Sequence, residues 1–132
     1  MNTKTRFKFR IWDTLDKRFI PPESLGGKMH YYIHIDGTPI NMQNCDGGSI
    51  YIVQQWTGLT DTNGIDIYEG DIVNAWDRGV NANLEIKWGN GTAGFFMYRC
   101  IGGLVWHLSG DSDNKETVKI IGNIFENPEL VK

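Results

Sequence analysis

Short apolar runs separated by glycine-rich turns recur about every ten residues along this chain, and this spacing constrains its fold most strongly. Apolar and polar residues alternate from Arg6 to Trp12 and again from Met29 to Asp36, as they do in half-buried strands. Thr57-Gly58 and Asn63-Gly64 are turn signals between later runs. No stretch shows the helical period of about 3.6 residues. The pattern therefore predicts an all-β protein, either a barrel or a sandwich.

Two polar loops divide the predicted strands into two groups. The loops lie at Pro21 to Gly27 and at Asn44 to Ser49, and both are rich in residues that interrupt strands. We therefore expect a small N-terminal β lobe over residues 1–53. Over residues 54–132 we expect a small closed barrel of about five strands. A helical turn is expected only in the last residues, Asn127 to Lys132.

Composition and charge limit the classes of function. With 40% hydrophobic residues and a net charge of −3, the chain is too apolar to be disordered and has no overall attraction for polyanions. No apolar run approaches the roughly 20 residues of a membrane-spanning helix. Cys45 and Cys100 stand far apart, and residues 1–10 lack the apolar segment of a signal peptide. We therefore expect a soluble cytoplasmic protein with reduced cysteines and no membrane contact.

Three carboxylates, those of Asp66, Glu69 and Asp71, lie close together in the sequence. Paired carboxylates are what acid–base catalysis or a hard metal ion requires, but no histidine or nucleophile stands near them. His30 and His34 would lie about 13 Å apart on one strand, too far to share a metal ion. We therefore predict no catalytic residue, no metal site and no cofactor. The marked residues of this region are interpreted as turn residues: Gly58, Asn63, Gly64, Glu69, Gly70 and Asp71.

Positive charge is concentrated at the start of the chain. Arg6, Lys8 and Arg10 share one face of the predicted first strand with Trp12, and a basic face with an aromatic residue often holds single-stranded nucleic acid. The same cations would also protect an outer strand from stray pairing. A third interpretation pairs them with acidic groups of a neighbouring subunit. Arg6, Lys8, Arg10 and Trp12 are therefore the candidate contacts for a partner or for nucleic acid.

The chain has five tryptophans, more than so small a core needs. Trp88 and Trp106 fall in phase with apolar residues of their predicted strands, so we expect them in the core. Trp12 and Trp76 are instead candidates for contact surfaces, where aromatic side chains are enriched.

Three separated segments together resemble one protein family. They are RFKFRIWDTLDKRFI near the start, QQWTGLTDTNGIDIYEGDIV in the middle and IIGNIFENPELV near the end. Their order and spacing are similar to those of the YopX family of phage and prophage proteins, over essentially the whole chain. The resemblance implies a phage or prophage origin, an SH3-like barrel in the C-terminal part and assembly into homo-oligomers. It implies no catalytic residue, because the family has no established activity.

These observations lead to one main hypothesis and two alternatives. The main hypothesis is a non-enzymatic phage accessory protein that self-associates, with the lobe at 1–53 as the candidate for oligomerisation, and that binds a host or phage protein in the bacterial cytoplasm. The first alternative is nucleic-acid recognition through the basic N-terminal strand. The second is an unrecognised hydrolase that uses Glu69 and Asp71.

Overall fold

The computed structural model describes residues 8–21, 31–33, 39–41, 46–47, 50–77, 79–89, 93–99, 102–108 and 118–132. Within these ranges the chain is almost entirely strand and turn, and its one helix is a 3-10 turn, Pro128–Val131. The all-β prediction and the expected C-terminal helical turn are both confirmed. No described helix has the length and apolarity that crossing a membrane requires. Two compact units divide the chain between Gln55 and Trp56. The predicted division into an N-terminal lobe at 1–53 and an SH3-like barrel at 54–132 stays a prediction.

The first unit is built from short antiparallel strands. They are β1 (Phe9–Asp13), β2 (Arg18–Phe19), β3 (Tyr31–Ile33), β4 (Pro39–Asn41), β5 (Asp46–Gly47) and the beginning of β6 (Tyr51–Thr60). β1 pairs with β2 on one side and with β6, as far as Gln55, on the other. β3, β4 and β5 form a separate three-stranded sheet. The predicted strand from Met29 to Asp36 is described only where β3 lies.

A small apolar cluster holds β1 to its neighbours. Ile11, Ile20 and Tyr51 are buried together, with Val53 packed against them. The turn after β1 begins at Asp13, whose Oδ1 accepts hydrogen bonds from the backbone N–H groups of the two residues that follow Thr14, at 2.9 and 3.0 Å. An aspartate at this place ends the strand because its carboxylate takes up the N–H groups that the turn leaves without strand partners.

The second unit contains the rest of β6 and six further strands. They are β7 (Asp66–Tyr68), β8 (Asp71–Asp77), β9 (Val80–Trp88), β10 (Phe95–Arg99), β11 (Leu104–His107) and β12 (Val118–Asn123). Five of them form an antiparallel sheet in the order β11-β10-β9-β8-β12. β7 pairs with β6, so these two strands form a hairpin. β12 contains an irregularity between Ile120 and Gly122, where a strand can bend.

The core of the second unit lies between this hairpin and the sheet. Leu84 and Ile86 of β9 are fully buried and pack with Ile67 of β7, and Leu59 of β6 joins the same cluster. Strand alternation appears in the middle of β9, where Ala82, Leu84 and Ile86 are buried and the residues between them are half-buried. A sheet whose inner face is closed by its own hairpin is barrel-like.

Two tryptophans do not lie where the sequence predicts. Trp88 continues the buried phase of β9 but is 51% exposed, because it is the last residue of the strand and lies past the end of the core, with its ring edge-on to Phe95 at 4.9 Å. Trp12, expected at a contact surface, is only 6% exposed. Trp106 packs against the core and Trp76 is 57% exposed, as predicted.

Candidate functional site

The glycines of the middle segment allow a backbone conformation that other residues rarely adopt. Gly58, Gly64 and Gly70 have φ angles of +88°, +77° and +82°, and a side chain is strained in this region. Gly58 lies within β6 rather than in a turn between strands, at the bulge where the register with β7 shifts. Asn63 has no positive φ, so the Asn63-Gly64 loop is not the two-residue turn that this pair favours.

The carboxylate of Asp71 is used by the backbone. Asp71 is 3% exposed, and its Oδ2 accepts a hydrogen bond from the N–H of Tyr68 at 2.8 Å. Between these two residues the N–H of Gly70 donates to the carbonyl of Ile86 at 2.8 Å. This bend between β7 and β8 therefore ties the hairpin to the sheet. A buried carboxylate that holds a turn in this way is a poor candidate for the predicted alternative of acid–base catalysis with Glu69.

Sequence reasoning missed the role of Asp61. Its side chain is 2% exposed. Oδ1 accepts the backbone N–H groups of Asn63 and Ile65 at 2.9 and 3.0 Å, and Oδ2 accepts that of Ile120 at 3.1 Å. The first two contacts follow from an aspartate placed just before Asn-Gly. The third joins the loop after β6 to β12, and no local pattern indicates it.

At least one cation of the basic N-terminal strand makes contacts within the protein. The Nε of Arg10 donates to Oε1 of Gln54 at 2.8 Å, and its guanidinium lies 4.5 Å from the ring centre of Phe19. Phe19 in turn meets Trp12 edge-on at 4.9 Å. Lys8 also has a contact of its own, and Arg6 lies outside the described residues, as do His30, His34, Cys45 and Cys100. Trp12 is covered and offers no open ring for a base.

An open groove on the outer face of the second unit is the best-formed candidate site. Its volume is about 810 Å³, within the usual range of roughly 300–1,000 Å³ for ligand sites. We call it the outer-face groove, and its described lining is Lys87, Gly89, Ala93, Gly94, Phe95, Phe96, Tyr98, Val105 and His107.

Strand alternation places two aromatic rings on the floor of this groove. Met97 of β10 points into the core and is 4% exposed, so Phe96 and Tyr98 on either side of it point outward. Their rings meet edge-on at 6.3 Å. Val105 of β11, opposite Tyr98, is 59% exposed, which leaves an apolar surface open to solvent.

Basic and imidazole groups flank these rings. Phe96 is paired with Lys87 on one side and with His107 on the other. The Lys87 Nζ lies 4.8 Å from the centre of the Tyr98 ring and 4.0 Å from the Glu85 carboxylate. Burial raises the pKa of Glu85, and the charge of Lys87 partly offsets this. No carboxylate lines the groove among its described residues.

The groove was not predicted as a site, although parts of it could be read from the sequence. The alternation of β10 and the outward position of His107 were both predictable from the period of two. What brings Lys87, Phe96 and His107 into one row is the register of three strands, which the sequence of any one strand does not determine. In the ranges that the structure describes, no group of three or more His, Cys, Asp or Glu residues is arranged to hold a metal ion.

Comparison with known proteins gives a family profile and two solved structures. The profile described as YopX protein matches residues 8–132. The crystal structure of protein EF1440 from Enterococcus faecalis is similar at 24% identity and a TM-score of 0.57, covering 98% of this chain and 100% of that one. The crystal structure of protein yopX from Bacillus subtilis is similar at 18% identity and a TM-score of 0.58, covering 94% and 97%. Among curated proteins none matches. At these identities the two structures show a shared fold.

Proposed function

The chain belongs to the YopX family, and from this premise we propose that it is a non-enzymatic phage or prophage accessory protein that self-associates and acts by binding a partner. We place its action in the cytoplasm of the bacterial host, with the partner a host or phage molecule. The contact surface is the outer-face groove. The single observation that carries the proposal is this groove, because it combines half-buried aromatic rings and an exposed valine with adjacent polar groups on one sheet.

The use of the buried carboxylates supports a binding role over catalysis. Asp13, Asp61 and Asp71 are each at most 5% exposed, and each accepts backbone N–H groups in a turn. A general acid or base must instead reach a substrate. These three buried carboxylates therefore stabilise turns.

Self-association is supported by large apolar side chains outside the groove. Trp76 and Trp88 are 57% and 51% exposed, at different strand ends of the same sheet, and aromatic residues are enriched where subunits meet. Sedimentation velocity over a range of concentrations tests this part. We expect a species larger than the 15.0 kDa chain, and a strict monomer at high concentration would contradict self-association.

The alternative of nucleic-acid binding through the basic strand has less support. It needs Arg10 and Trp12 to be available together, whereas Arg10 is bonded to Gln54 and Trp12 is buried.

Matched substitutions test the groove as the contact surface. Val105 in the groove and Val80 outside it are both exposed residues of the same sheet. We expect Val105→Asp to abolish capture of partner molecules from infected bacteria, because a charge would be placed on the apolar floor. Val80→Asp, the control, should leave capture unchanged. Equal capture by wild type and both variants would contradict the assignment of the groove.

A further inference from the structure

We propose, as a refinement that rests on the function proposed above, that the outer-face groove binds single-stranded nucleic acid. Bases would lie on Phe96 and Tyr98, and the backbone phosphates would lie beside Lys87 and His107. The partner class follows from three features of the groove: its aromatic rings, its charge and its small lining residues.

The aromatic floor is suited to stacking. Phe96 and Tyr98 are two positions apart on β10, so both project from the same face of a strand that has neighbours on both sides. The two ring planes are 78° apart, so a base that stacks on one ring meets the other ring edge-on. Such stacking needs no base-specific contact, since every base has a flat π surface. The sheet holds the two rings in place, which reduces the entropy lost on binding.

The charge of the groove differs from that of the chain. The chain has 16 acidic and 13 basic residues, yet the described lining of the groove contains a lysine, a histidine and no carboxylate. Lys87 and His107 stand on opposite sides of Phe96, so each could meet a phosphate next to a stacked base. Lys87 is the formally charged residue of this described lining, and an anionic ligand would meet it there. The Glu85 carboxylate, which lies 4.0 Å from Lys87 and is paired with Tyr98, weakens this attraction. Stacking would therefore supply most of the affinity.

Small residues form part of the groove lining. They are Gly89, Ala93 and Gly94, and a Cβ added at Gly94 would meet no atom within 4 Å. Because these residues carry little or no side chain, a sugar–phosphate backbone can approach the sheet there. A duplex keeps its bases paired with each other, so a single strand is the form whose bases can stack on the rings.

Fluorescence anisotropy with a labelled dT10 oligonucleotide at low salt tests the proposal. We expect saturable binding by the full chain. Phe96→Leu and Tyr98→Leu keep an apolar side chain but remove the flat ring, and each should weaken binding by at least about fivefold, since a stacked base contributes roughly 1–3 kcal/mol. Phe125→Leu removes a ring from the turn after β12, outside the groove, and should leave dT10 binding unchanged.

The salt dependence of dT10 binding distinguishes the electrostatic contribution to affinity from the stacking contribution. For one phosphate neutralised by Lys87 the slope of log K against log salt should be about −0.7, and Lys87→Gln should bring it close to zero. Lys119→Gln is the control, because Lys119 is an exposed residue of β12 outside the groove. A slope that both lysine variants change equally would overturn the assignment of Lys87.

Photo-crosslinking of wild-type protein to an iodouracil oligonucleotide gives a result that does not depend on the folding of variants. Adducts on Phe96 or Tyr98 are expected. Adducts confined to β1 would overturn the proposal in favour of the basic strand. The same conclusion would follow if dT10 binding were lost in Arg10→Ser but kept in both ring variants.

A peptide that alternates Asp with Phe distinguishes this refinement from the proposed function. In one outcome the peptide binds in the groove of the wild type and fails to bind Val105→Asp, while dT10 does not bind at all. That result would overturn the nucleic-acid ligand and leave the proposed binding function intact. If neither ligand binds and Val105→Asp captures the same molecules as wild type, both proposals fail.

Discussion

The side-chain carboxylate of Asp61 accepts a hydrogen bond from the backbone N–H of Ile120 at 3.1 Å, across 59 residues of sequence. Its other oxygen holds the loop that joins β6 to β7. The carbonyl of Val118 in turn accepts a hydrogen bond from the N–H of Thr62 at 3.0 Å. This loop and β12 are therefore joined through side chain and backbone together, and the hairpin is closed onto the sheet at this point.

Replacing Asp61 with alanine should lower the free energy of unfolding by about 2–3 kcal/mol, because the variant leaves backbone donors at a 2% exposed site without their acceptor. Asp61→Asn keeps one acceptor oxygen and should cost about half as much. Urea unfolding followed by tryptophan fluorescence measures both values. An ordinary surface substitution changes the free energy of unfolding by about 0.5 kcal/mol or less. If both variants fall within that range of wild type, the link to Ile120 is dispensable.

Gly122→Ala should destabilise the protein by about 1–3 kcal/mol through overpacking. A Cβ at this position would lie 2.5 Å from Oδ1 of Asn127 and 2.9 Å from its Cγ. The control is Gly94→Ala, which meets nothing within 4 Å and should be close to neutral. Asn127→Ala removes the two nearest atoms, Oδ1 and Cγ. The double variant should therefore be more stable than the sum of the two single destabilisations predicts. Additive effects would refute the clash.

Glu85→Gln should stabilise the protein at pH 7.5 and not at pH 3.5. Burial raises the pKa of Glu85, so the folded state favours the neutral acid. The stability gained from protonated Glu85 is complete below the unfolded pKa and is lost as the pH rises through the higher folded pKa. Glutamine stays neutral at every pH, so the variant avoids the loss of stability that ionised Glu85 causes at pH 7.5. Thermal melts at the two pH values measure it, with Glu129→Gln at an exposed helical position as the control for removing a charge. A gain that is equal at both pH values would contradict the assignment.

Arg10→Ser should destabilise the first unit by about 1–2 kcal/mol. It removes the donor to Gln54, which is 3% exposed, and the guanidinium over the Phe19 ring. Lys119→Ser, at an exposed position, should change stability by less than about 0.5 kcal/mol. Equal urea midpoints for the two variants would show that Arg10 is free for a ligand, and would restore the basic strand as a binding surface.

Much of the strand pattern was predictable, and the failures have a common cause. The alternation in β9 correctly marks Leu84 and Ile86 as buried, since a period of two is a local property of the chain. It fails at Trp88 because the core ends before the strand does. It fails at Trp12 because Phe19 of the neighbouring strand covers a face that the alternation marks as polar. In both cases burial depends on what lies across from the residue.

The all-β class, the turn glycines Gly64 and Gly70 and the family were predictable from the sequence, because they depend on local preferences and on the order of short segments. Two features follow from the tertiary structure alone: the carboxylate that closes the hairpin onto β12, and the set of side chains that forms the outer-face groove. Asp61 meets Ile120, and Phe96 stands between Lys87 and His107, because the fold brings distant parts of the chain together. Register sets the row of Lys87, Phe96 and His107, and a shift of one residue would turn its side chains to the opposite face of the sheet.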